Sequence, residues 1–107
     1  MCPAIVTRDG VGVFAAGAAG GVRIPTSVGE VLFNYVGLGA NLETAMAAPR
    51  IDTNGTLDLG IDKRHSPEQE AFFKQLGYTV SRRPGAYVGA VSFNPRTGRA
   101  EGIGAGV

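Results

Sequence analysis

The stretch Gly17-Ala18-Ala19-Gly20-Gly21-Val22-Arg23-Ile24 decides how this chain is interpreted, because small residues there join a strand pattern to a helix pattern. Consecutive glycines leave backbone N–H groups free and let a ligand approach the main chain closely. The first turn of the following helix adds unpaired N–H donors and the positive end of the helix dipole. Such a place can bind a phosphate, a carboxylate or the oxyanion of an acyl-transfer intermediate. A plain structural turn explains the same residues equally well, and the Gly-Lys-Ser/Thr ending of a phosphate-binding loop is missing.

A β-hairpin is predicted immediately before this stretch. β-branched residues predict a strand at residues 3–8, and Asp9-Gly10 is a favoured two-residue hairpin turn. The return strand is expected at residues 11–16, and the glycines and alanines of residues 17–21 are expected to break it.

Capping residues and apolar spacing predict three helices. Ser27 and Glu30 have the spacing of a capping box, which predicts that the first helix begins at Ser27. Asn41 is a suitable cap for a second, short helix. The third helix is predicted from Ser66, since Pro67 and Gln69 complete a typical helix start. Its buried face is expected to consist of Phe72, Phe73 and Leu76.

Strand patterns follow between and after these helices. Alternating apolar residues predict strands at residues 56–62 and 78–81. A closing hairpin is predicted from residues 86–93 and 99–103, joined by a turn at residues 94–98. The order of elements predicts an α+β fold with a mostly antiparallel sheet and about three helices.

Composition limits the classes of function. The 107 residues are the length of one domain, and no linker divides residues 1–107. Ten basic and nine acidic residues give a net charge of +1 without a basic face, so nucleic acid is not an expected partner. No apolar run approaches the roughly 20 residues of a membrane span. A single cysteine excludes an internal disulfide, and no targeting signal indicates a compartment.

Side chains with catalytic or metal-binding chemistry are few. His65 is the only histidine and is expected to be an exposed loop residue, so no Ser-His-Asp or Cys-His site is indicated. One His and one Cys cannot form a closed metal site, and no cofactor is expected. Asp58 and Asp62, four residues apart on a predicted strand, would lie about 13 Å apart, which suits a solvated face better than paired acid–base catalysis.

Several segments resemble the small subunit of the γ-glutamyltransferases (γ-glutamyltranspeptidases), in order and over nearly the whole chain. Residues 2–6 (CPAIV), the Asp9-Gly10 pair and residues 17–24 (GAAGGVRI) are similar to the family's SPTIV, DG and GSPGGSRI. Further segments are similar to its LQEAVDAPR, LEALGHKV and DPxTG segments: residues 42–50, 72–80 and 93–99. The glycine pair followed by Arg-Ile and the Ala-Pro-Arg at residues 48–50 are the most specific of these matches.

The resemblance implies a fold, an activity and one pair of site residues. It implies the layered α-β-β-α fold of the N-terminal-nucleophile hydrolases, of which this chain is a part. In that family a self-cleaved precursor exposes a threonine, whose hydroxyl attacks the γ-glutamyl amide of glutathione-type substrates while its own amine acts as the base. The role carried over to Gly20 and Gly21 is donation of backbone N–H groups to the oxyanion.

The sequence also departs from the family pattern. Neither the catalytic threonine nor the two serines that help to hold the substrate are found in these residues, so no substrate-binding residues are assigned. Val22 stands where a serine is common, and residues 102–107 lack the Asp-Pro-Arg that often follows the closing hairpin. The chain is therefore expected to be inactive without a polypeptide that carries the threonine.

Three interpretations of the chain remain beside a truncated, inactive piece of such an enzyme. It is one chain of a two-chain assembly that acts on a γ-glutamyl substrate, or it is a non-catalytic scaffold that self-associates through exposed apolar faces. Alternatively, Cys2 becomes an N-terminal nucleophile after removal of Met1. The proline that follows Cys2 disfavours this geometry, and a lone cysteine is more often simply packed.

Overall fold

The computed structural model describes residues 2–105, which form strands, short helices and two sheets. In chain order the elements are β1 (Ala4–Arg8), β2 (Val11–Ala19), a 3₁₀ turn (Gly21–Arg23), α1 (Ile24–Leu32), a π-helical turn (Phe33–Gly37), α2 (Leu42–Ala47), β3 (Ile51–Thr53), β4 (Asp58–Ile61), α3 (Pro67–Gln75), β5 (Thr79–Arg82), β6 (Tyr87–Asn94) and β7 (Arg99–Ala105). This is the α+β architecture with mostly antiparallel strands that the sequence predicts.

The larger sheet has four antiparallel strands in the order β1-β2-β6-β7. Its first hairpin turns at Asp9 and Gly10, whose φ angles of 52° and 80° are both positive, as the predicted turn requires. Strand β2 runs to Ala19 and pairs with β6 as far as Tyr87. The break predicted at residues 17–21 therefore begins only at Gly20, because residues 17–19 keep their pairing with the central strand.

One face of this sheet carries the main core. Helices α1 and α2 cover it, and the buried apolar side chains interdigitate between helices and strands. The cluster consists of Phe14, Ala16, Ile24, Val28, Val31, Leu42, Ala45, Met46, Ala86, Val88 and Ala90. The opposite face, called here the outer sheet face, is formed by Ile5, Ala15, Gly17, Gly89 and Val91; Ile5 is 75% exposed and Val91 53%.

The first helix begins earlier than predicted. It starts at Ile24 with Pro25 in its first turn, so Ser27 lies inside the helix and is buried. The capping box assigned to Ser27 and Glu30 is wrong, because both side chains bind other segments of the chain. Ser27 Oγ accepts a hydrogen bond from Ala86 N at 3.2 Å, and Glu30 Oε1 accepts one from Ile51 N at 2.8 Å.

The other two helix starts agree with the sequence. Asn41 caps α2 by accepting a hydrogen bond from Thr44 N, and Ser66 and Gln69 form a complete capping box at α3. The predicted buried face of α3 is wrong, however. Phe72 and Leu76 are 56% and 58% exposed, and Phe73 is half-buried with its ring against His65.

The smaller sheet has the order β3-β4-β5. Strand β4 is shorter than the predicted 56–62 strand, and β3 was not predicted at all, because its three residues are too few for a visible alternation. Strands β4 and β5 pair in parallel, with α3 as the crossover between them. Within residues 2–105, no helix is long and apolar enough to cross a bilayer.

Candidate functional site

Gly20 and Gly21 lie at the junction between β2 and α1. Gly20 has φ 146° and ψ 23°, and Gly21 has φ 63°. L-amino acids with a side chain rarely adopt these conformations, so the turn favours glycine at both positions. The 3₁₀ turn that follows leads directly into the first turn of α1.

The backbone N–H groups of Gly20 and Gly21 are the oxyanion donors that the family resemblance implies. Among the described residues 2–105, no hydrogen bond is donated by Gly20 N or by Gly21 N. The carbonyl groups, by contrast, are used: Gly20 O accepts from Arg23 N at 3.4 Å, and Gly21 O accepts from Ile24 N. Gly21 is exposed and Gly20 half-buried, so two adjacent N–H donors are available where a helix begins.

Gly20 packs directly on Ala86. A Cβ atom built on Gly20 would lie 2.8 Å from Ala86 Cβ and 2.9 Å from Ala86 Cα, closer than any real contact. Ala86 is itself held at both backbone groups, because its N–H donates to Ser27 and its carbonyl accepts from Arg50 Nη1 at 3.0 Å. The position of the glycine turn is therefore set by a buried and hydrogen-bonded support.

Arg50 belongs to a buried group of charges behind this support. It is 2% exposed; its Nη2 donates to Met46 O at 3.0 Å and its amide to Asp62 Oδ2 at 2.9 Å. Burial lowers the pKa of Arg50, and the neighbouring charge of Arg64 lowers it further. Burial alone would raise the pKa of Asp62, but hydrogen bonds from the Arg64 side chain and the Arg50 and Arg64 amides outweigh it and hold that pKa below its usual range.

Asp62 and His65 are not the exposed residues that the sequence predicted. Asp62 lies beyond the end of β4, is 1% exposed and binds the guanidinium of Arg64 at 2.8 Å. His65 is 8% exposed, with its Nδ1 3.5 Å from Asp62 Oδ1 and its ring edge-on to Phe73. Both predictions were wrong because the chain makes a tight turn over residues 62–65. The Arg82 side chain covers this turn and donates to His65 O at 3.0 Å.

Glu30 is a half-buried acid whose pKa responds to the charge of Arg50. Burial raises its pKa to about 7; the hydrogen bond from Ile51 N and the charge of Arg50 oppose the shift only in part. Its Oε1 is hydrogen-bonded, whereas its buried Oε2 has no partner among the described residues. Glu30 therefore connects α1 to the start of β3 by a hydrogen bond. Its burial lowers the folding stability only when the carboxyl group is ionised.

The remaining candidate residues do not assemble into a second site. Asp58 is exposed and lies 3.8 Å from Arg83, and Cys2 is half-buried against the main core. Within residues 2–105 no three His, Cys, Asp or Glu side chains come close enough to hold a metal ion. A cleft of about 650 Å³ opens near the two hairpin turns, lined among others by Arg8, Tyr35 and Arg96. It does not include the glycine pair.

The structure adds two contacts of Arg23 that the sequence did not assign. Arg23 Nε donates to Gly20 O at 3.2 Å, and Arg23 Nη1 donates to Pro84 O at 2.6 Å. Arg23 and Arg50 both lie in the motifs that carry the family resemblance, but spacing along the chain could not show which carbonyl groups they bind. The only available signal was an arginine two positions after the glycine pair.

Comparison with known proteins identifies the family of this chain. The sequence model of the family described as Gamma-glutamyltranspeptidase matches residues 1–105. The glutathione hydrolase proenzyme of Escherichia coli (strain K12) is 33% identical over 82 residues, which are 76% of this chain. The structure of a Helicobacter pylori γ-glutamyltranspeptidase T380A mutant superposes over 99% of this chain with a TM-score of 0.85 at 27% identity. The enzyme from Pseudomonas nitroreducens complexed with L-DON superposes over 97% with a TM-score of 0.86 at 30% identity.

The chain matches only part of each of these proteins. It covers 14% of the length of the E. coli proenzyme, 59% of the H. pylori chain and 56% of the P. nitroreducens chain. The solved neighbours show that the two sheets and three helices are part of the layered N-terminal-nucleophile hydrolase fold.

Proposed function

Because this chain belongs to the γ-glutamyltranspeptidase family, we propose that it supplies the oxyanion-binding half of an active site that transfers or hydrolyses γ-glutamyl groups. The observation that carries the proposal is the pair of free amides at Gly20 and Gly21. They lie side by side at a turn that only glycine readily adopts, at the N-terminal side of α1.

The proposed reaction begins with a threonine hydroxyl that attacks the γ-carbonyl carbon of a glutathione-type substrate. The amine of the same threonine accepts the proton, and the carbonyl oxygen becomes negatively charged. The Gly20 and Gly21 N–H groups donate to this oxygen. Collapse of the intermediate breaks the C–N bond while the threonine ammonium gives its proton to the leaving nitrogen, and the acyl group stays on the threonine oxygen as an ester. Water or the amine of an amino acid then attacks this ester and regenerates the threonine hydroxyl. One such donor is worth about 10²–10³ in rate.

In this proposal the threonine is supplied by polypeptide outside residues 1–107. Comparison proteins are named as proenzymes, and the present chain corresponds to a minor share of their length. Catalysis then requires both polypeptides, because this chain contributes the oxyanion donors and the other contributes the nucleophile, the base and the groups that hold the substrate.

The outer sheet face is the surface that such a partner would cover. Ile5 and Val91 are exposed there beside Ala15, and Gly17 faces Gly89 across the strands. A second β-sheet can pack closely on a face this flat and apolar, as sheets do in layered folds. Burial of Ile5 and Val91 would contribute about 1–2 kcal/mol each to association, because part of each side chain is already buried.

An assay with a chromogenic γ-glutamyl anilide tests the proposal. The purified chain is measured alone and after mixing with the threonine-led segment that precedes the matched region in a relative such as the E. coli proenzyme. Turnover is expected only in the mixture. A mixture that associates but stays inactive would contradict the proposal, and turnover by the lone chain would favour Cys2 as the nucleophile, which Cys2→Ser then decides.

The outer sheet face favours a second candidate function, a self-associating scaffold without catalysis. Two copies of the chain can cover the same apolar face on each other. Analytical ultracentrifugation separates the two candidates: a stable homodimer that Val91→Lys dissociates, and that does not exchange for the threonine-led partner, would support the scaffold.

A further inference from the structure

Arg23 connects the two segments that form the glycine turn and its support. Its Nε donates to Gly20 O at 3.2 Å, its backbone N donates to the same oxygen at 3.4 Å, and its Nη1 donates to Pro84 O at 2.6 Å. Pro84 lies two residues before Ala86, on which Gly20 packs. The guanidinium therefore connects the glycine turn to the loop of residues 84–86, on which Gly20 packs.

The carbonyl that Arg23 binds shares a peptide unit with the Gly21 amide. A peptide unit is planar, and none in the described residues is cis. The Gly20 C=O and the Gly21 N–H must therefore point in opposite directions. Once Arg23 holds the oxygen, the Gly21 N–H is directed away from the guanidinium and cannot rotate independently.

We propose that Arg23 is a positioning residue, which orients and polarises the Gly20–Gly21 peptide so that the Gly21 N–H is presented to the reacting oxygen. This inference rests on the proposed oxyanion role of the glycine pair. A peptide between two glycines can flip at small steric cost, because both residues tolerate positive and negative φ. A donor that flips is lost to the reaction, so this turn needs an anchor that other turns do not.

The charge of Arg23 adds to its geometric effect. A hydrogen bond from a charged donor is stronger than a neutral one, and it draws electron density toward the carbonyl oxygen. The N–H of the same peptide unit becomes a better donor as a result. Arginine suits the position because its rigid fork reaches two carbonyl groups on different segments, whereas a lysine ammonium lacks that fixed geometry.

The kinetic test uses Arg23→Met and Arg23→Lys in the assembly with the threonine-led partner. We expect kcat to fall about 10–100-fold in Arg23→Met with KM changed less than about twofold, since only an interaction with the transition state is weakened. Arg23→Lys should restore part of the loss. The matched control is Arg99→Met, which removes an exposed arginine at the far end of the same sheet and should leave both constants unchanged.

A second readout does not depend on activity. In ¹⁵N-labelled chain, Arg23→Met should shift the Gly21 amide resonance, because the charged Arg23 Nε hydrogen bond to the carbonyl of the same peptide unit is lost and only the weaker backbone bond from Arg23 N remains. Gly10, at the distant hairpin turn, should not move. An inactive wild-type assembly would end the proposed function, whereas this spectrum would still decide whether Arg23 orients the peptide. An unchanged Gly21 resonance, or kcat and KM that worsen equally, would overturn the positioning role.

Discussion

Replacement of Glu30 by glutamine should stabilise the chain at neutral pH and not at acidic pH. Burial raises the pKa of Glu30 from 4.5 to about 7 in the folded chain. Below pH 4.5 the carboxyl is protonated in both the folded and the unfolded chain and adds no penalty. As the pH rises from 4.5 to 7, the unfolded chain releases this proton while the folded chain keeps it, so folding stability falls.

The size of the effect follows from the pKa difference. A shift of this size corresponds to at most about 3 kcal/mol, and partial exposure of the Glu30 side chain reduces the expected value to about 1–2 kcal/mol. Glutamine keeps an oxygen for the Ile51 N–H but cannot ionise. The free energy of unfolding of Glu30→Gln minus that of the wild type should therefore be small near pH 4.5 and rise to about 1–2 kcal/mol near pH 8.

Urea denaturation followed by circular dichroism measures this difference at both pH values. Glu43→Gln is the matched control, since Glu43 is exposed on α2, and it should stay within about 0.5 kcal/mol of the wild type throughout. A Glu30→Gln difference that does not change with pH would refute the reasoning. A variant less stable than the wild type near pH 8 would also refute it, because Arg50 would then stabilise the carboxylate more than burial penalises it.

Four further substitutions test the packing of the site and the start of α3. Gly20→Ala should lower the free energy of unfolding by about 2–4 kcal/mol, because its methyl group would overlap Ala86. Gly21→Ala meets open space and should cost only about 1–2 kcal/mol, the penalty of a left-handed conformation. Urea denaturation measures both, and equal losses would contradict the close contact at Gly20. Ser27→Ala should cost about 1–3 kcal/mol, since it leaves the buried Ala86 N–H without an acceptor, and a neutral result would show that water replaces the hydroxyl. Ser66→Ala should cost about 1 kcal/mol through loss of the α3 cap, measurable as a lower Tm in a thermal melt; an unchanged Tm would mean that α3 does not limit stability.

Local signals in the sequence predicted those parts of the fold that short-range chemistry determines. The Asp9-Gly10 turn and the Ser66 capping box depend on residues within four positions of each other, and both formed as expected. The first helix was misplaced because Ser27 and Glu30 have better partners far along the chain than they have in their own first turn. Spacing along the sequence does not indicate which distant residues will accept or donate these hydrogen bonds.

In the candidate site, too, the short-range features could be predicted from the sequence and the long-range contacts could not. The glycine pair could be singled out from its type and spacing, since free amides and positive φ are properties of a glycine-rich turn. The burial of His65 and Asp62 could not be predicted, because it depends on Arg64 and Arg82 folding over a corner built from separate elements. The carbonyl partners of Arg23 likewise become neighbours only when residues 20 and 84 meet in space.

The outer sheet face carries glycine at residues 17 and 89, and this affects experiments that select variants by folding alone. A Cβ added to Gly17 or Gly89 would meet nothing within 4 Å in this chain, so larger residues there leave folding intact by steric criteria. Any polypeptide that lies against the sheet would nevertheless be pushed away by the added bulk. Screens for soluble expression would therefore accept substitutions at these two glycines that an assay for association would reject, and the gap between the two screens would map the contact area.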